Sequence, residues 1–505
     1  MLPTWLQVWS MASNRRSGVL AAVLSTLFAA ACVSLAPAPK LQPSARMAVP
    51  VAAAAGVSGA TPLTSAVLAA SGNSATNPAA AAAAFPPAVA PPFSTELADE
   101  RTRDAAFEQA WRIVQERFYD AAFNGVDWEA VRLRYLPQLD RVQSDSGFYS
   151  LLGRMVGELR DSHTRVYSAR EYRNRQDFVM STYGLRVAEV EGEVAIVQVL
   201  PDTDAARAGL RAGLIVESVN GESARERLVR LRADAPADAS PERRQRNMYG
   251  RLIAGRSNAA LVLEVRGEGG PARFELQRTE REVPLVVTRR LLEGNVGYIA
   301  FNRFRPEGAA DVARALGTFG DTEGLVLDLR GNPGGNIGAM LSIAQAFMPE
   351  TRHVLTRQVR NTGTGSPESD GWPQGRSAPE MRISGSARAY TRPLAILIDA
   401  YSASSSELLA TVLREQRGAL IVGRPSCGCV VAVRSSGYRL PGGGTIYVAE
   451  SGFITPQGNR MEGAGMRPDR EVAQTLDDLR ADVDRDLVVA REWIRQRAQR
   501  SAEEH

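Results

Sequence analysis

Between residues 104 and 119 apolar side chains recur at helical spacing, at Ala106, Phe107, Ala110, Trp111, Ile113, Val114 and Phe118. That spacing predicts an amphipathic helix. Trp128, Val131 and Leu133 predict a second helix, and Phe148, Leu151, Leu152, Met155, Val156 and Leu159 a third. Residues 98–170 therefore read as a small helical module. From about 180 to 285 the pattern shortens to strands at 184–190, 194–199, 215–219, 260–266 and 274–278, with a short helix stopped by glycine within 204–213. Residues 286–475 alternate instead, with strands at 296–301, 325–329, 394–398 and 420–422 separated by helices at 309–316, 337–347 and 407–413. The runs at 325–329 and 394–398 are apolar throughout. Such strands predict a parallel α/β sheet with crossover helices. Residues 349–388, rich in Gly, Ser, Pro and Thr, read as a surface excursion able to roof a cleft. The end, 476–505, reads as a charged amphipathic helix.

The first 97 residues do not belong to this pattern. Arg15 and Arg16 precede an apolar run from Val19 to Phe28, and Ala29, Ala30 and Ala31 stand before Cys32. This is the layout of an export signal over 1–32, with Met11 as an alternative start. The small residues before Cys32 suit either a bacterial lipoprotein site, with Cys32 acylated, or ordinary cleavage after Ala31. Ala29 stands where lipoprotein sites prefer leucine. Both readings send the chain to the periplasm or cell envelope, one with a lipid tether. The uncharged run 17–31 is short for a membrane span. Residues 33–97, dominated by Ala, Pro, Ser, Gly and Val, read as a disordered tether.

Composition narrows the chemistry. The chain has 505 residues, 44% hydrophobic and 23% charged, which excludes collagen-like, disulfide-scaffold and wholly disordered classes. The net charge is only +4, and basic residues do not cluster with aromatics, so nucleic acid is not an expected partner. Lys40 is the single lysine, and the other 59 basic residues are arginine. His163, His353 and His505 are the only histidines. Cys427 and Cys429 are the remaining cysteines. A bridge between positions i and i+2 would be strained and two cysteines make a poor zinc site, so two small buried residues are expected there. No metal or organic cofactor is implied.

Three segments carry candidate chemistry. Residues 396–407 run from a buried strand through Ser402, Ala403, Ser404, Ser405 and Ser406 into a helix at Glu407. A serine on such a turn can be a nucleophile beside the amides of a helix start. Ser404 and Glu407 are equally a capping box. Asp328, Leu329, Arg330, Gly331, Asn332, Pro333, Gly334 and Gly335 form a second strand-to-glycine turn, which suits an oxyanion hole or an ordinary connection. It lacks the ending of a phosphate loop. The third segment is Asp161, Ser162, His163 and Thr164. His163 is the only histidine well placed to act as a base, since His353 falls in the excursion and His505 ends the chain.

Together these segments resemble the tail-specific (C-terminal processing) and tricorn core serine peptidases, over about residues 100–475. The 402–407 run aligns with the family's nucleophile motif, 328–335 with its Asp-x-Arg-x-Asn-x-Gly-Gly segment, and 462–469 with its closing Glu-Gly-x-Gly-Val-x-Pro-Asp. The resemblance implies a crotonase/ClpP-like ββα protease core at 286–475, an N-terminal helical module, and an inserted PDZ-like β-rich domain at 180–285. The PDZ likeness rests on residues 205–213 with the Asn220-Gly221 turn. Tyr183, Gly184, Leu185 and Arg186 sit where PDZ domains hold a peptide's terminal carboxylate.

One departure bears on mechanism. Ser–Lys members carry a lysine after the nucleophile helix, and here the matching turn is Cys427-Gly428-Cys429-Val430, with Cys429 at the lysine position. The tricorn branch instead implies a tetrad of Ser404, His163, Ser162 and Glu462. Ser405, with Gly334 or Gly335, would hold the oxyanion. The expected function is an exported serine endopeptidase acting on peptides or unstructured protein tails, with PDZ-assisted recruitment. The alternatives are an inactive member serving as a peptide-binding envelope scaffold, and a thiol nucleophile at Cys427 or Cys429, neither of which lies on the strand-to-helix turn.

Overall fold

Asp99, Asp127 and Ser144 each accept a first-turn amide, from Thr102, Ala130 and Gly147. These caps open the helices Glu100–Arg117, Trp128–Tyr135 and Asp145–Gly157. The computed structural model describes residues 99–234, 240–254, 260–360 and 380–503; the export signal, Cys32 and the tether lie outside them. Phe107, Ala110, Val114, Phe118, Leu152 and Met155 are fully buried between the helices. Leu133 is not part of this face and is 61% exposed, because Trp128, Val131 and Tyr135 turn inward instead. The same cluster takes in Leu440, Ile446, Val448 and Ala449 from the far end of the chain. The strand Arg165–Tyr167 pairs antiparallel with Thr445–Tyr447, Val166 opposite Ile446. That pairing fixes where the preceding Asp161–Thr164 turn lies.

In the middle region, Leu185–Val190, Glu193–Val199, Ile215–Val219, Leu261–Gly267 and Gly270–Leu276 form one antiparallel sheet in that order. Leu185–Val190 is an edge strand. Two helices that the apolar pattern does not announce, Ala224–Ala233 and Pro241–Leu252, cover the sheet through Leu228, Leu231, Met248, Tyr249 and Leu252. Both are rich in arginine, so few positions carry their amphipathic signal. The expected helix within 204–213 is shorter, Asp204–Arg207.

The core sheet runs Val287–Leu292, Val296–Phe301, Gly324–Asp328, Leu394–Ile398, Leu420–Gly423, Arg470–Glu471. Only the first pair is antiparallel. Alternation explains the continuous apolar runs. Leu325, Leu327, Ile396 and Ile398 face the helices Pro306–Leu316, Ile337–Gln345 and Ser405–Arg417, which contribute Val312, Met340 and Leu409. Val326, Ala395, Leu397 and Val422 face the opposite way, against Ala490 and Ile494 of the terminal helix Arg485–Glu503. The approach is close enough that a Cβ on Gly324 would stand 2.4 Å from Ile494.

Residues 361–379 of the expected excursion lie outside the described residues; its described ends are more regular than their composition suggests. Arg352–Val359 pairs with Glu380–Ile383 on one side and Ala449–Ile454 on the other, in a second sheet that also holds Val431–Val433. The long partner Ala449–Ile454 supplies the order that the local sequence does not. No helix among the described residues is long and apolar enough to cross a membrane.

Candidate active site

Ser404 stands where the Leu394–Ile398 strand turns into the Ser405–Arg417 helix, with φ 56° and ψ −117°. An ordinary N-cap is extended, so this backbone is not explained by helix capping alone. A non-glycine residue in this region costs on the order of 1–3 kcal/mol and is retained where the surroundings over-determine it. Those surroundings are visible. Asp399 Oδ1 accepts the amides of Gly331, Tyr401 and Ser402. Ser402 Oγ donates to the carbonyl of Leu329 at 2.8 Å, and the Ala403 amide donates to the carbonyl of Asn332. Glu407, 1% exposed, accepts the Ser404 amide at 2.9 Å.

The glycine turn packs directly on this elbow. A Cβ on Gly334 would lie 2.8 Å from Ser404 Cβ and 2.9 Å from the Ser405 nitrogen. The Gly334 amide already donates to Asn332 Oδ1 at 2.9 Å, whereas Gly335 and Ser405 have no acceptor for their N–H groups among the described residues. Ser405 Oγ donates to the Gly335 carbonyl, tying the two together. Arg330, beside the turn, joins Asp328 to Asp484 and Asp486 at the start of the terminal helix.

Ser162, His163 and Glu462 come together across three hundred residues of chain. Glu462 Oε1 accepts the Ser162 amide at 2.8 Å; its Oε2 accepts Ser162 Oγ at 3.0 Å and the Val430 amide at 2.5 Å. Ser162 Oγ lies 2.6 Å from His163 Nδ1. Each contact on Glu462 is a donor, so the arrangement suits its carboxylate. Ser162 has one proton, and giving it to Glu462 leaves a lone pair for the His163 Nδ1–H. The basic nitrogen is then Nε2. Asp161, 4% exposed, accepts the His163 and Thr164 amides through Oδ1, while its buried Oδ2 has no hydrogen-bond partner among the described residues.

Burial drives the electrostatics. It lowers the His163 pKa to about 4; Asp161 opposes that, and Arg165, Arg175 and Arg243 reinforce it. Burial raises Glu462 to about 7, against the Val430 and Ser162 hydrogen bonds that favour its anion. No hydrogen bond joins Ser404 to His163 among the described residues; catalytic contacts often tighten only when substrate binds. The two halves are adjacent nonetheless, because the Cys429 amide donates to Glu407 and the next amide, of Val430, to Glu462.

Cys427 and Cys429 are joined by a disulfide, which corrects the expectation of two unbridged residues. They are buried, as expected, and pack with Ala403. The PDZ-like candidates take the following positions. Tyr183 is buried under Arg278, the Gly184 amide donates to Thr182 Oγ1, and Leu185 is laddered opposite Val199. Arg186 leaves that strand and lies over the ring of Tyr401, 3.9 Å from its centroid, with Arg246 at 5.9 Å. Neither arginine has an ion-pair partner among the described residues. Asp161 lies in the third candidate segment but has no role expected from the sequence, and Arg246 is in none of the three; the Tyr401–Arg246 contact has no local signal in the sequence.

Residues 295–472 match the model of peptidase family S41, and residues 99–157 match the tricorn protease C1 domain. The chain carries a peptidase family S41 domain over residues 295–472. It is thus a serine-type peptidase, a hydrolase. The chain is 27% identical over 380 residues to the carboxyl-terminal-processing protease of Synechocystis sp., covering 73% of this chain and 80% of that protein. It is 25% identical over 357 residues to the carboxy-terminal processing protease CtpB of Bacillus subtilis, covering 69% and 66%. Its fold is similar to mature CPAF complexed with lactacystin, with TM-score 0.58 and 14% identity over 80% of this chain and 99% of that one.

Proposed function

We propose that this S41 peptidase is an exported endopeptidase that cleaves peptides or unstructured protein tails, with Ser404 as nucleophile and His163 as base. The observation that carries this reading is the relay from Glu462 through Ser162 to His163 Nδ1. A serine hydroxyl is too weak an acid to attack unaided. His163 Nε2 takes the Ser404 proton as Oγ bonds to the carbonyl carbon, and returns it to the leaving amine as the acyl-enzyme forms. Water then attacks the ester by the same proton route and frees Ser404. Ser162 and Glu462 hold the tautomer and stabilise the imidazolium. The unengaged amides of Ser405 and Gly335 support these two, rather than Gly334, as oxyanion donors. Losing one such donor costs about 3 kcal/mol of transition-state stabilisation.

The substrate class follows from two further observations. The relatives' names specify carboxyl-terminal processing. Arg186 and Arg246 put two guanidinium groups, with no acidic partner among the described residues, between the edge strand Leu185–Val190 and the Ser404 turn. A peptide added to that edge would bring its carboxylate toward them, which is the PDZ-like reading of residues 180–285. Export rests on residues 1–32.

Intact-mass analysis after exposure to a fluorophosphonate probe tests the mechanism. One adduct on Ser404, lost in His163→Ala, is the expected result. A folded, unlabelled wild type would favour the scaffold alternative.

A further inference from the structure

Residues 426–430 serve both halves of the site at once. The buried Glu407 carboxylate, which holds the Ser404 amide, accepts Ser426 Oγ at 2.5 Å, the Gly428 amide at 2.7 Å and the Cys429 amide at 3.0 Å. The Val430 amide holds Glu462, and through it Ser162 and His163. The Cys427 amide donates to the Ser402 carbonyl, and Gly463, next to Glu462, donates to the Gly428 carbonyl. Five residues therefore connect the nucleophile elbow to the base relay. The loop turns at Gly428 with φ 69°, a conformation open to a flexible glycine rather than enforced by it. What restricts the loop covalently is the Cys427–Cys429 disulfide, 0% and 4% exposed and packed on Ala403.

We propose that Cys427 and Cys429 are positioning residues whose disulfide aligns the amides of residues 428–430 with Glu407 and Glu462, so that full activity requires the oxidised pair. The inference rests on the Ser404–His163 reading. Two thiols lose two protons and two electrons to a thiol–disulfide oxidant, which is reduced to its dithiol as the bridge forms. Such oxidation matches an exported chain. Opening the bridge returns a Gly-centred loop to many conformers, of which few present consecutive amides to two separate carboxylates. The bridge lies at the position that Ser–Lys members give to their catalytic lysine, but it acts by preorganisation rather than by proton transfer.

The effect should be readable in pH as well as rate. Glu462 is faced by the Ser162 amide and hydroxyl, the Val430 amide, Asp161, Arg243 and Tyr119. Losing the Val430 hydrogen bond removes a contact that favours the carboxylate, so Glu462 would titrate higher and the acid limb would move to higher pH.

The test compares fluorophosphonate labelling rates of the full oxidised chain, the chain reduced with a phosphine, and Cys427→Ser/Cys429→Ser, across pH. Thiols are counted by alkylation and mass, and folding by thermal melting. Labelling slowed by about tenfold or more, with the acid limb moved to higher pH in a folded protein, is expected. Wild-type rate and an unmoved limb in the double variant would overturn the proposal. So would a loss that only tracks unfolding. No labelling of the oxidised wild type would overturn the Ser404 assignment itself, and this inference with it.

Discussion

The Arg186 guanidinium lies 3.9 Å from the centroid of the Tyr401 ring, three residues ahead of Ser404. One end of this contact lies on the edge strand of the middle sheet; the other belongs to the turn that carries Ser404, the proposed nucleophile. A carboxylate arriving at the edge strand would compete for the cation and so report its presence to the turn. Arg186→Ala is expected to lower the preference for peptides with a free over an amidated C-terminus by about tenfold, roughly one hydrogen bond to a charged group. Ratios of kcat/KM for such a peptide pair measure it. An unchanged ratio would remove Arg186 from recruitment.

The pH dependence has a definite sign. In the proposed mechanism the base works only when His163 is neutral and Ser162 donates toward Glu462, so both groups must be deprotonated. His163 meets that condition above about 4 and Glu462 above about 7. The labelling rate should therefore rise through about pH 7 with Glu462. Protonating Glu462 would reverse the Ser162 hydroxyl and leave the proton on Nε2. Glu462→Gln should move the acid limb down by more than one pH unit and lower the plateau by about tenfold or more. A limb that stays in place would assign it to another group.

Asp161 separates positioning from charge. Asp161→Asn keeps an acceptor for the His163 and Thr164 amides but removes the charge that favours the imidazolium. The same charge disfavours the Glu462 anion. The variant should thus show a lower plateau, by about tenfold per 1.4 kcal/mol of lost cation stabilisation, and an acid limb at lower pH. Identical profiles for the two proteins would leave Asp161 with a local turn-forming role only.

The terminal helix predicts a stability effect away from the chemistry. Ile494 is fully buried against the sheet face of Val326, Ala395 and Leu397. Ile494→Ala should cost about 2–5 kcal/mol, the usual range for such a cavity. Urea denaturation with an unchanged m-value would measure it. A cost below about 1 kcal/mol would mean that the helix collapses onto the gap.

Much of this was legible along the chain because it is local. The apolar runs at 325–329 and 394–398 can be satisfied only with both faces covered, and the turns after them carry glycines and serines that such connections need. The motif residues Ser404, His163, Ser162 and Glu462 could be named from the resemblance of their short surroundings. What the chain could not disclose depends on partners distant in sequence. The strand Arg165–Tyr167 finds Thr445–Tyr447, and only that pairing carries Ser162 to Glu462. The arginine-rich helices Ala224–Ala233 and Pro241–Leu252 form because they have a sheet to cover, while their own hydrophobic pattern is thin. The strained backbone of Ser404 and the reach of Arg186 to Tyr401 are likewise tertiary facts. Spacing along the sequence constrains which face a side chain takes; only the packed structure decides which other segment that face meets.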